Sequence, residues 1–221
     1  MLNFSHNCTT NTFDHYKIIA ANTPAWFHYI IGIILTVATF GSIYTNGCVL
    51  FVFLIKDRKQ LTRTNAYVAA ICILSVIMTI FGIPMVATSS FSKVWIFGDA
   101  ACKYYAFLMT FCGLGTMLIL SVISVDRYIH IVKKNLSSRL STKFSMSINC
   151  FCMAITLMFC VCPLLGWNQY TYEGVGTACA IDLIGEGNNG RSFIIALLIV
   201  FFAIPVAVML FAYGSTFAKV C

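Results

Sequence analysis

Five long apolar runs set the plan of this chain, at approximately residues 30–55, 66–89, 102–131, 144–165 and 192–218. Each is long enough to cross roughly 30 Å of hydrocarbon as a helix, which takes about 20 residues. A bilayer interior offers backbone groups no partner, so only helices and closed barrels span it. Runs of this length predict helices, and the fold class is an all-α membrane protein. The links at residues 56–64 and 132–143 are short and basic. The links at 90–101 and 166–191 are not, and the latter is rich in Gly, Asn and Tyr.

Composition sharpens this picture. Of 221 residues, 60% are hydrophobic and 10% charged, against about a quarter charged in soluble domains. That balance excludes a disordered chain, a nucleic-acid-binding tail and an ordinary soluble enzyme. The net charge of +7 does not reinstate a nucleic-acid partner, because its distribution follows topology. Lys56, Arg58, Lys59 and Arg63, then Arg127, Lys133, Lys134, Arg139 and Lys143, then Lys219 all fall on one side of the spans. This is the positive-inside pattern. It places the N-terminus outside a cell membrane, with residues 1–24 as an extracellular tail and 25–221 as the membrane domain. Sequons at Asn3 and Asn7 fit glycosylation of that tail. Residues 1–24 lack the basic start, apolar core and small-residue cleavage site of a signal peptide, and no removable one is expected.

Most of the 11 cysteines lie inside apolar runs and read as small hydrophobes. Cys8, Cys102 and Cys179 lie on the outer, oxidising side. A bridge between Cys102 and Cys179 would tie the long outer link over the bundle; two free thiols are the alternative. No nucleophile–base pair or metal cluster is evident, so neither catalytic nor metal-binding residues are expected. Mid-span charges of the kind transporters use are also missing from the runs.

The third run starts at Cys102 outside and ends with Asp126-Arg127-Tyr128 inside. One reading of that triplet is a snorkelling arginine that anchors the helix. The other is an ionic latch that opens to admit a cytosolic partner.

With these residues the chain resembles the rhodopsin-like G-protein-coupled receptors. Asn46, Trp95-Ile-Phe-Gly98, Cys102, Asp126-Arg127-Tyr128, Pro205 and Tyr213 stand where that class has them. The outer link, Gly166-Trp-Asn-Gln-Tyr170-Thr-Tyr-Glu173-Gly174 followed by Cys179-Ala-Ile181-Asp182, narrows the resemblance to the opsins. The resemblance implies a rhodopsin-like bundle of which five of seven helices are present. It also implies a retinal pocket beneath the outer link, Glu173 as counterion to a protonated Schiff base, and a heterotrimeric G protein as partner. Tyr105, Thr110, Gly113 and Ile181 are its implied pocket residues. A biogenic amine receptor is disfavoured, because Met109 stands where those receptors place an Asp.

Several positions depart from the pattern. Ser75 replaces the usual Asp of the second span, Met153 replaces the usual Trp of the fourth, and Asn46-Gly47 reverses the commoner Gly-Asn order. No lysine falls mid-span, so the retinal-binding lysine, which opsins keep in the seventh helix, is expected outside this sequence. The expectation is therefore an incomplete opsin-like photoreceptor. A receptor of the same fold for a diffusible ligand and a non-signalling five-span product are the alternatives.

Overall fold

The structure is a computed structural model and describes residues 15–56, 62–133, 140–184 and 188–220. The sequons at Asn3 and Asn7 lie outside these residues, as does Cys8. Helix α1 is Ala25–Leu50, extended by a π-helical segment, Phe51–Lys56. Helices α2 (Arg63–Phe81) and α3 (Ile83–Phe91) follow, then α4 (Gly98–Val132) and α5 (Thr142–Val161), the last closed by a 3₁₀ turn, Cys162–Leu164. Strands β1 (Tyr170–Glu173) and β2 (Ala178–Ile181) form an antiparallel hairpin. Helix α6 (Asn188–Leu198) passes through a π-helical segment, Ile199–Ala203, into α7 (Ile204–Val220).

Five stretches among the described residues are long and apolar enough to cross a membrane: Ala25–Phe53, Arg63–Phe91, Gly98–Val132, Thr142–Leu164 and Asn188–Lys219. They coincide with the five apolar runs, but several begin earlier. The first starts at Ala25 rather than near residue 30, because Pro24 offers a helix-compatible start and Trp26 and Tyr29 are aromatic residues suited to a membrane interface. The second and fourth begin at side-chain caps. Thr62 accepts from the Asn65 N–H and Ser141 from the Phe144 N–H, so polar residues outside the apolar runs belong to the helices. A further helical stretch, residues 15–22, occupies what the sequence suggests is only a polar tail.

Prolines shape the second and fifth spans. Pro84 has no N–H to offer and its ring crowds the preceding turn, so the helix ends at Phe81 and restarts at Ile83. At the joint Gly82 lies so close to the third span that an added Cβ would sit 2.6 Å from Met109 Sδ. Pro205 follows the π-helical segment of the fifth span, through which that helix continues without a break.

Helix α4 is the hub, packed against α2, α5, α7 and both strands. Many large apolar side chains on the spans point outward, Phe40 and Leu210 each 70% exposed, as lipid-facing surfaces do. The interior instead holds small and hydroxylated residues such as Thr79, Ser124 and Thr156. Thr79 Oγ1 donates to Ser75 O (2.7 Å) and pairs with Ser42 Oγ (2.9 Å), while Asn46 Nδ2 donates to Ser42 O (3.0 Å). An uncharged network thus joins the first two spans. Met153 packs where a Cβ on Gly115 would meet its Sδ at 2.9 Å. A Gly115→Val chain is therefore expected to lose about 1–3 kcal/mol through overpacking, read as a lower thermal midpoint in detergent.

Candidate functional site

The outer hairpin is held at its base, along its face and at its tip. At the base, Gly166 (φ 96°) and Asn168 (φ 81°) turn the chain back. Asn168 Nδ2 then donates to Asp182 O (3.1 Å), and Trp167 Nε1 donates to Ser192 Oγ (2.9 Å) at the start of the fifth span. The run Gly166-Trp-Asn-Gln therefore clamps the two ends of the hairpin and docks them on α6. At the tip Gly174 (φ 62°) and Gly176 (φ 76°) take left-handed conformations that glycine adopts without strain. The Trp95 N–H donates to Gly176 O (2.9 Å), and a Cβ on Gly176 would lie 2.9 Å from Tyr16 O. The helical stretch at 15–22 thus covers the tip.

Along the face, the register pairs Tyr170 with Ile181 and Tyr172 with Cys179. Alternation sends Tyr170, Tyr172 and Cys179 into one buried cluster with Trp95, Cys102 and Tyr105, against which Ile181 packs. Cys102 and Cys179 are joined by a disulfide, Cα–Cα 5.5 Å, bridging 77 positions. Tyr170 Oη donates to Cys160 O (2.9 Å) and lies beside the Thr110 hydroxyl, so Thr110 is a neighbour of the hairpin. Tyr105 is buried, its ring 5.5 Å from that of Trp95. Gly113 is exposed, and an added Cβ there would meet nothing within 4 Å.

Glu173 alternates to the opposite face and is exposed. Its carboxylate sits on the face of the hairpin opposite Tyr170 and Tyr172. Its charge still reaches Tyr105 and Tyr16. Burial, then Asp182 and Glu173, raise the Tyr16 phenol above its usual value. Among the described residues Glu173 takes part in neither of the ion pairs.

Tyr172 Oη donates to Asp99 Oδ1 (3.2 Å) at the head of α4. Burial, and then the Asp99 carboxylate, push the Tyr172 phenol from 10.0 up to about 12. The folded hairpin keeps a proton that the unfolded chain loses first. Its contribution is therefore complete below pH 10 and is lost as pH rises through about 12. Tyrosinate absorbance during alkaline titration is expected to appear at lower pH in Asp99→Asn.

At the other end of α4, Asp126 and Arg127 make no ion pair with each other among the described residues. Asp126 is buried, and its two oxygens are taken by the second span: Arg63 Nε lies 2.6 Å from Oδ1 and Thr64 Oγ1 donates to Oδ2 at 2.9 Å. Arg127, next along the helix and so turned to another face, is exposed and makes no ion pair among the described residues. The Tyr128 ring lies 5.7 Å from that of Phe211 in the fifth span. The sequence signal for Arg63 was masked by its membership of a basic link, where topology alone accounts for an arginine.

Five helices long and apolar enough to span a membrane, a disulfide-held hairpin at one end and the Arg63–Asp126 pair at the other describe a polytopic membrane protein. The seven-transmembrane receptor (rhodopsin family) profile matches residues 45–221, and the chain belongs to this family. It is 29% identical over 193 residues to the rhodopsin of Loligo forbesii, covering 86% of this chain and 42% of that protein. It is 31% identical over 207 residues to melanopsin-A of Danio rerio, covering 93% and 35%. It is 30% identical over 204 residues to a rhodopsin of Mizuhopecten yessoensis described as G0-coupled, covering 90% and 50%. The crystal structure of squid rhodopsin superposes with a TM-score of 0.83 at 28% identity, over 90% of this chain and 57% of that one. The chain thus spans half or less of the length of these curated relatives.

Proposed function

We propose that the chain is part of an opsin-type photoreceptor that signals light to a heterotrimeric G protein. The observation that carries this reading is the disulfide-held hairpin, which packs Tyr170, Tyr172 and Cys179 against Tyr105 of the third span and carries Glu173 without an ion-pair partner among the described residues. Retinal, bound as a protonated imine, supplies light absorption and a change of shape. The residues present fit that group on the counterion side. Glu173, exposed and without an ion-pair partner among the described residues, would supply the carboxylate that answers one cation, Tyr105 and Ile181 would wall the ligand, and Thr110 would steady the hairpin through Tyr170. The attachment amine is not supplied by these spans, whose lysines lie at their ends or in the links.

The inner end is the surface for the G protein, and relatives described as G0-coupled and GQ-coupled point to those partner classes. An extracellular N-terminus is supported by the disulfide on its side of the bundle and by basic residues on the other. The full-length receptor, loaded with retinal, is expected to accelerate nucleotide exchange on one of these G proteins only when illuminated. Exchange driven equally in darkness and without retinal would favour a diffusible-ligand receptor.

A further inference from the structure

The buried carboxylate of Asp126 is met by an ion pair and a hydrogen bond, both from another span. Arg63 Nε reaches one oxygen and the Thr64 hydroxyl the other, and the Arg63 and Asp126 side chains are only 11% and 4% exposed. Arg63 is the first residue of α2, fixed there by the Thr62 cap. Its guanidinium is thus delivered by a helix end rather than by a mobile loop. A carboxylate with both oxygens occupied has little electrostatic reason to draw in a second cation, and Arg127 remains exposed at the cytoplasmic end.

We propose that Arg63 is a positioning residue for signalling: by holding Asp126 it keeps the guanidinium of Arg127 released toward the cytosolic partner. The proposal deepens the receptor reading above and rests on it for its signalling consequence. The physics of competition sets the sign. Removing Arg63 leaves a buried charge without its cation, and the nearest replacement along the chain is Arg127. Once drawn onto Asp126, Arg127 is no longer available to the G protein.

In the full-length receptor, Arg63→Ala is therefore expected to lower light-stimulated nucleotide exchange by roughly five-fold or more, the low end of typical coupling between sites. Arg63→Lys is expected to retain most of the activity. The double variant Arg63→Ala/Asp126→Asn is expected to recover it, because the carboxylate that recaptures Arg127 is gone; a merely structural loss would not be rescued this way. The idea is overturned if Asp126→Asn raises dark exchange several-fold while Arg63→Ala is silent, the pattern of an Asp126–Arg127 latch. Should the wild type show no light response, the photoreceptor reading fails separately. The pair itself is then read by a thermal double-mutant cycle in detergent on the same variants: non-additive losses support it and additive losses overturn it.

Discussion

Cys179→Ser is expected to be the most damaging single substitution in the outer half of the chain. The bridge closes a loop of 77 positions, and chain-entropy arguments assign such a closure about 4 kcal/mol. The loss reaches beyond the loop. Cys179 lies opposite Tyr172 in the hairpin and within the cluster of Trp95, Cys102 and Tyr105. Without the covalent tie to α4, the hairpin would be held by packing against Trp95 and Tyr105 and by single hydrogen bonds such as Tyr170–Cys160, Tyr172–Asp99, Trp95–Gly176 and Trp167–Ser192. The expected result is a sharp fall in folded receptor at the cell surface and a lower thermal midpoint. Reductant should reproduce both in wild type and change neither in Cys102→Ser/Cys179→Ser. Wild-type yield and midpoint in Cys179→Ser would show that strand pairing and packing alone hold the hairpin.

Glu173→Gln is expected to have the largest effect on the ligand without a matching effect on the fold. The side chain is exposed and makes no ion pair among the described residues, so replacing its charge disturbs little packing. A protonated imine beside it depends on that charge, and losing an opposite charge at close range moves a pKa by about 1–3 units. In the retinal-loaded receptor the visible band should shift toward the near ultraviolet at neutral pH and return on acidification. An unchanged thermal midpoint would accompany it. A variant that keeps its visible band at neutral pH would assign the counterion elsewhere.

The spans were legible because a bilayer imposes a single, strong signal, an apolar run of sufficient length. Their ends were less so. Thr62, Arg63 and Ser141 are polar residues that caps and ion pairs recruit into helices, and no apolar pattern marks them. Interruptions at Pro84 and Pro205 follow from proline chemistry, yet their outcomes differ: a helix break in one span and a π-helical segment in the other. The outer residues Cys102, Cys179 and Glu173 stood out through resemblance. Their geometry did not, because the face that Glu173 occupies follows from strand register. The tip of the hairpin is set by contacts of Gly176 with Trp95 and Tyr16, distant in sequence. The partners of Asp126 were hidden for a related reason. Adjacency suggested Asp126 with Arg127, whereas a helix turns consecutive residues to different faces and Asp126 finds its partners 62 and 63 positions away on α2.

The central claim is that this chain helps to bind retinal as a protonated imine with Glu173 as its counterion. The most direct measurement is the absorption spectrum, in darkness at neutral pH, of the full-length receptor purified after incubation with retinal. A visible band that bleaches or shifts on illumination and moves to the near ultraviolet in Glu173→Gln is the expected result. A spectrum showing only free retinal, from receptor that is folded by its thermal midpoint, would contradict it.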